Sequence, residues 1–221
     1  MEAFGVHLMM SPETASNCLD KANLCFLYAP AYHSGFKHAA AVRKAMGVRT
    51  LFNILGPLAN PAYPNIMLLG VYTPELLMPM AEALQLTGVE RAFVVYGSGL
   101  DEIALHGETQ VVEINGEQLI ERTISPQDFG LKNYSLEDIK GGTPQKNADI
   151  IKAILSGNGQ EAHNAAVIIN CAALLYLHDK ADSLEAAAQL ASEVLKSGKG
   201  LATLELLVSL SNEETADGEV K

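Results

Sequence analysis

An α/β fold, with a mostly parallel sheet flanked by helices, is what this sequence predicts, and three observations carry the prediction. Residues 65–96 read as strand, helix, strand: "NIMLLGVY" and "RAFVVY" are apolar runs of buried-strand length, and "TPELLMPMAEALQL" between them has helical spacing. A βαβ unit of this kind makes its two strands parallel through a right-handed crossover. Helical and strand periods alternate along much of the chain. Finally, 221 residues with 48% apolar and 19% charged side chains can bury one good core.

Taken in order, Ser11 and Pro12 open a short helix, and "LCFLY" (24–28) reads as a buried strand. "YHSGFKHAAAVRKAMG" (32–47) reads as a helix, and "LGPLANPAYPN" (55–65), with three prolines, as a hinge or ordered loop. Thr73 suits the N-cap of the crossover helix, Pro74 its first position, and Gly88 follows its end. "TQVVEI" and "QLIERT" flank Asn115-Gly116, a strong hairpin signal that predicts an antiparallel ribbon on the sheet edge. The C-terminal third reads as helical. Ser135 with Asp138 and Asp182 with Glu185 look like helix-start boxes, and Thr143-Pro144 opens a helix that ends near Gly157. One α/β unit over 1–210 and an acidic, disordered tail over 211–221 are the expected organisation.

Charge and cysteine usage exclude several functions. The net charge of −11 and the scattered Lys and Arg residues argue against nucleic acid and against an anionic membrane. The longest apolar run, "AAVIINCAALLYL" (165–177), is too short for a bilayer and carries Asn170. "MEAFGVHLMM" lacks the basic n-region of a signal peptide. Cys18, Cys25 and Cys171 have no metal-ligand spacing and read as reduced, packed thiols. A cytoplasmic location is expected.

"GLDEIALHG" (99–107) holds the adjacent carboxylates Asp101 and Glu102 directly after the second strand of the βαβ unit. Neighbours in a strand point to opposite faces, so the pair can cooperate only in a loop. A loop past the carboxyl end of a parallel strand is where open α/β sheets bind ligands. Two carboxylates there suit a hard divalent cation completed by water and a substrate phosphate, with an ordinary acidic surface turn as the alternative.

The 32–47 helix offers a second feature. At ~100° per residue, Phe36, Ala39, Ala40 and Gly47 share a stripe that contains Arg43, while Lys37 and Lys44 lie on another face. A guanidinium fork among small residues matches a carboxylate or phosphate; an interhelical ion pair is the alternative. His33 and His38 have no metal partner at useful spacing and read as structural.

The stretch "FLYAPAYHSGFKHAAAVRKAMGVRTLFNILGPLANP" (26–61), followed in order by "GLDEIALHG", "PQDFGL" and "GGTPQKNADII", resembles the signature of the anthranilate phosphoribosyltransferase family, and the similarity runs from Met1 to about Leu210. The resemblance implies transfer of phosphoribose from phosphoribosyl pyrophosphate to the amine of anthranilate, with release of pyrophosphate, in tryptophan biosynthesis. It implies a small helical domain hinged to a larger α/β domain of the nucleoside phosphorylase/phosphoribosyltransferase-like fold, with the active site between them and a homodimer for the full-length enzyme. Asp101 and Glu102 match the acidic pair that holds a second Mg²⁺ beside the pyrophosphate. Arg43 matches the arginine that meets the anthranilate carboxylate, and His33 and Pro57 match residues lining the aromatic substrate's path. No side chain is implied as a dedicated catalytic base.

Departures qualify the match. Ser34 stands where many relatives have proline. The glycine-rich "GTGGD" loop that cradles the pyrophosphate and the "KHGNR" segment do not occur in these residues, and "GSG" and "GG" at 141–142 lack the strand-loop-helix setting of a phosphate cradle. The expectation is a C-terminal portion of the enzyme, inactive alone, in which residues 32–50 would pack with the helical domain. A pyrimidine nucleoside phosphorylase-like enzyme and a non-catalytic relic or binding module of the same fold are the alternatives.

Overall fold

Residues 1–32 and 52–213 are described by a computed structural model. Ser11 caps α1 (Pro12–Ala22) as expected, its side chain accepting the Thr14 N–H at 3.1 Å. The strand expected at 24–28 is not formed: these residues have no ladder partner among the described residues, and the Phe26 and Tyr28 rings stack on each other with centroids 6.5 Å apart. Cys25 and Leu27 from this segment pack against Val6, Met10 and Cys18. Burial therefore supplied the apolar run without any sheet. One helical turn, α2 (Ala29–Tyr32), and a short α3 (Phe52–Leu58) complete the N-terminal part.

The βαβ unit forms where the pattern placed it. β1 (Ile66–Gly70) and β2 (Arg91–Tyr96) pair in parallel, from Ile66 opposite Arg91 to Gly70 opposite Val95. Between them Thr73 precedes a 3₁₀ turn over Pro74–Leu76, which leads into α4 (Leu77–Leu86). The Thr73 side chain donates to the Glu75 carboxylate and does not cap the helix. β3 (Thr109–Asn115) and β4 (Gln118–Ile124) then add antiparallel neighbours, giving the order β1-β2-β3-β4. The sheet is thus mixed, and the expectation of mostly parallel pairing is corrected: one pairing is parallel and two are antiparallel among the described residues. The kind of connection is the reason. A parallel return usually runs through a crossover helix, whereas the twelve residues between β2 and β3 form turns and the acidic loop with no helix, and a two-residue turn joins β3 to β4.

Helices cover both faces. Leu77, Met80, Ala81 and Leu84 of α4 bury against Ala92, Val94, Val112 and Ile114. On the other face Phe93, Val95 and Val111 meet Ile168, Ile169, Ala172 and Ala173 of the long helix described next. The C-terminal third is helical: α5 (Pro144–Leu155), α6 (Glu161–Leu177), α7 (Leu184–Lys196) and α8 (Lys199–Ser211). Thr143 caps α5 as expected, and α7 is capped by Ser183, one residue after the expected Asp182. The Ser135–Asp138 box closes with the Ser135 N–H on the Asp138 carboxylate at 2.8 Å, yet only turns follow it, because Gly141-Gly142 interrupt before α5. α8 packs on α1 through Leu207, Leu210, Ala15 and Cys18. Among the described residues no helix is long and apolar enough to cross a membrane. The expected tail falls largely at 214–221, outside the described residues, and α8 runs through Ser211.

Candidate active site

The carboxyl ends of the parallel pair build the site. Past β2 the chain makes a tight turn in which Gly97 and Leu100 exchange backbone hydrogen bonds at 2.9 and 3.1 Å. Asp101 and Glu102 then face solvent, while Ile103, Ala104 and Leu105 plunge into the core at 3%, 0% and 1% exposure. The acid pair therefore sits where a rigid core meets water, at the end of the strands as the sequence implied.

Three contacts hold this backbone. A Cβ on Gly70, the last residue of β1, would lie 1.6 Å from the Asp101 carbonyl oxygen, and one on Gly97 would lie 2.2 Å from that of Glu102. Glycine is needed at both positions because the loop rests directly on them. The third contact comes from α6: the Ile103 N–H donates to Asn170 Oδ1 at 3.2 Å, and Asn170 Nδ2 donates to the Ala166 carbonyl one turn back at 3.0 Å. Just beyond, the Ala104 N–H donates to Thr109 Oγ1 at 2.9 Å within the core. Ser98 and His106 tie the outer side of the loop, the hydroxyl donating to the Glu108 carbonyl at 2.7 Å and the imidazole Nε2 to that of Ser98 at 3.2 Å.

Electrostatics distinguish the pair from an ordinary turn. Neither carboxylate has an ion pair or a side-chain hydrogen bond among the described residues. Partial desolvation, and then the neighbouring Asp101 charge, push the Glu102 carboxyl above its ordinary value. Two hard oxygen donors, crowded and without a counter-charge, fit a divalent cation. No group of three or more metal-ligating side chains occurs among the described residues, so a cation at this pair would take two protein carboxylates from them. Mg²⁺ characteristically binds in this way, through one or two carboxylates plus water and substrate phosphates.

The remaining sequence-derived residues fall elsewhere. Pro57 lies half-buried in α3, beside Leu58, which packs on the α4 cluster. His33 and Arg43 lie outside the described residues. A cavity of about 640 Å³ between the start of α4 and the β3–β4 hairpin is lined by Glu75, Glu108, Glu121 and Arg122 among others, and does not include the acid pair. Gly70, Gly97 and Asn170 were not anticipated as site residues. A signal existed only for Asn170, the single amide in the apolar run 165–177.

Residues 1–201 match the glycosyl transferase family, a/b domain. The chain is 77% identical over 221 residues to the anthranilate phosphoribosyltransferase of Colwellia psychrerythraea, covering all of this chain and 60% of that protein. It is 52% identical over 212 residues to that of Pseudoalteromonas translucida, again covering 60% of the relative. Among solved structures, anthranilate phosphoribosyltransferase from Thermus thermophilus superposes with a TM-score of 0.89 at 40% identity, covering 96% of this chain and 63% of that one. The Saccharomyces cerevisiae enzyme in complex with PRPP and Mg superposes with a TM-score of 0.87 at 31% identity, covering 95% of this chain and 61% of that one. The chain thus spans about 60% of the length of the curated relatives it matches. By sequence match and by fold, it belongs to the glycosyl transferase family that carries this a/b domain.

Proposed function

We propose that the chain serves phosphoribosyl transfer to anthranilate, and the observation that carries this reading is 77% identity along its whole length to an anthranilate phosphoribosyltransferase. In that reaction the anthranilate amine bonds to the ribose carbon of phosphoribosyl pyrophosphate, and the bond from that carbon to the pyrophosphate oxygen breaks. The amine loses a proton, giving N-(5-phosphoribosyl)anthranilate and pyrophosphate in tryptophan biosynthesis. Negative charge grows on the leaving group, so the need is electrostatic. A bound Mg²⁺ supplies charge neutralisation there.

Asp101 and Glu102 are the residues that hold the cation. Their backbone is fixed before any ligand arrives, so little reorganisation is spent on binding. Arg43 presents its fork to the acceptor carboxylate, and His33 and Pro57 line the aromatic path. The complex of the yeast enzyme with PRPP and Mg supports the metal and donor, and its complex with 4-fluoroanthranilate supports the acceptor class. This reading extends to a cytoplasmic enzyme, a homodimer at full length, and packing of residues 32–50 against the helical domain of the longer protein.

The test joins the segment of the Colwellia relative that this chain does not match to these 221 residues. Fluorescence then follows anthranilate consumption with phosphoribosyl pyrophosphate and Mg²⁺. The joined enzyme should turn over anthranilate. Asp101→Asn with Glu102→Gln should lower turnover and raise the Mg²⁺ requirement, because neutral amides are poor ligands for a hard cation. An inactive joined enzyme beside an active relative would refute the assignment, and a double variant with unchanged magnesium dependence would refute the role of the pair.

A further inference from the structure

Asn170 stands out as a polar side chain with a defined job in an apolar place. It is the sole amide in the run 165–177, and α6 packs that run against the sheet. Both ends of its carboxamide are engaged. Nδ2 is committed to the Ala166 carbonyl at 3.0 Å, which turns Oδ1 toward the loop, where it accepts the Ile103 N–H at 3.2 Å. Ile103 is 3% exposed and immediately follows Glu102, at the point where the chain leaves solvent for the core. Without that acceptor the Ile103 N–H would be a buried donor lacking a partner, and the chain could satisfy it only by shifting the loop.

Gly70 and Gly97 act from below the loop, through the Asp101 and Glu102 carbonyls. Those contacts limit how closely the loop approaches the strands but supply no attraction along it. Asn170 provides the directional contact, and it does so next to the carboxylate that burial and repulsion already crowd.

We infer that Asn170 is a positioning residue for the cation-binding pair, acting through the Ile103 amide to fix the direction of Glu102. The inference rests on the cation reading of Asp101 and Glu102. Partners that orient metal ligands typically govern affinity by 10- to 100-fold, about the effect expected here.

The experiment titrates the 221-residue chain with Mn²⁺ alone and follows paramagnetic broadening of the Asp101, Glu102 and Ile103 amide resonances. Thermal unfolding and Ile103 amide exchange are recorded on the same samples. Asn170→Leu suits the apolar surroundings but accepts no hydrogen bond. It should raise the Mn²⁺ midpoint by about 10- to 100-fold and speed Ile103 exchange. Asn170→Asp still offers an acceptor to Ile103, and its midpoint should stay at or below that of the parent chain. Asn170→Ser, whose shorter side chain falls short of Ile103, replaces the leucine variant if that one does not fold, with the same expectation. A leucine or serine variant with the parent midpoint overturns the positioning role and leaves the cation reading intact. So does an aspartate variant as weak as leucine, since affinity would then be lost although the acceptor for the Ile103 N–H is kept. A parent chain with no Mn²⁺ broadening that Asp101→Asn with Glu102→Gln removes overturns the cation reading itself, and this inference with it.

Discussion

Gly70→Ala is the most direct perturbation of the site, because the residue touches it only through a missing side chain. Gly70 is fixed from the other side by the ladder, opposite Val95, with the next residue's N–H donating to the Val95 carbonyl at 2.9 Å. An alanine Cβ would meet the Asp101 carbonyl oxygen at 1.6 Å and its carbon at 2.3 Å, whereas real Cβ contacts essentially never fall below 3.0 Å. The strand cannot yield without losing its pairing, so the loop must. A carbonyl that retreats to at least 3.0 Å carries the acid pair with it and strains the 3.2 Å bond from Ile103 to Asn170. Overpacking of this kind costs about 1–3 kcal/mol, a fall in Tm of about 2–12 °C for a domain of this size. Displacing a reacting or metal-holding group by 1 Å can cost about 10²-fold in rate. The assay is anthranilate turnover against Mg²⁺ in the joined enzyme, alongside thermal unfolding. Gly56→Ala, in α3 with nothing among the described residues within 4 Å of its would-be Cβ, is the control and should leave both intact. A Gly70→Ala enzyme with the parent Tm and magnesium dependence would show that the loop does not rest on β1, and the clamp argument would fail.

Other expected outcomes are as specific. The raised Glu102 carboxyl means that the folded state holds its proton more tightly than the unfolded state. Stability is therefore lost as pH rises through the folded value, and the penalty is absent below the ordinary glutamate range. Without divalent cations, Glu102→Gln should raise Tm at neutral pH, with the gain vanishing on acidification; no gain at neutral pH would contradict the crowding. Arg43→Ala in the joined enzyme should raise the anthranilate KM by about tenfold or more, since a charge-assisted contact is worth about 1.5–3 kcal/mol; a rise in donor KM instead would make Arg43 a phosphate ligand. Arg122 pairs with Glu113 at 3.3 Å and lies 4.6 Å from the Phe93 ring centroid, while Glu113 is 5% exposed. Removing Arg122 should destabilise the chain toward the lower end of about 3–5 kcal/mol in urea unfolding, with Glu113→Met as a second change restoring most of the loss. No restoration would show that the lost packing on Phe93 matters more than the stranded charge.

Local pattern sufficed for most of the fold. Period and end signals placed β2 at its observed bounds, α1 and α5 behind their capping residues, and the hairpin around Asn115-Gly116. Where these readings failed, the missing information was tertiary. "LCFLY" has strand composition, but a strand exists only beside another strand, and these side chains instead cover the α1–α8 contact. The direction of β3 and β4 follows from the lack of a crossover helix after β2 and from the two-residue turn at Gly116. Both are visible in the sequence, and the single parallel pair carries less of the sheet than the βαβ pattern suggests.

The site divides along the same line, between chemistry that composition announces and geometry that only contact reveals. Adjacent carboxylates after an apolar strand are unusual enough locally to be noticed, and the loop does carry them at the carboxyl ends of the parallel pair. Gly70 could not be read the same way. Its role is defined by Asp101, 31 residues later in sequence and within 1.6 Å of where its Cβ would be. Asn170 is farther still, and its helix would pack equally well with leucine there by any periodicity criterion. An amide retained in such a place costs burial unless both its donor and its acceptor are used, and here both are. That cost gives a rule for reading the rest of the family: a lone Asn within an apolar helix that faces the end of a parallel strand pair points to a loop whose backbone must not move.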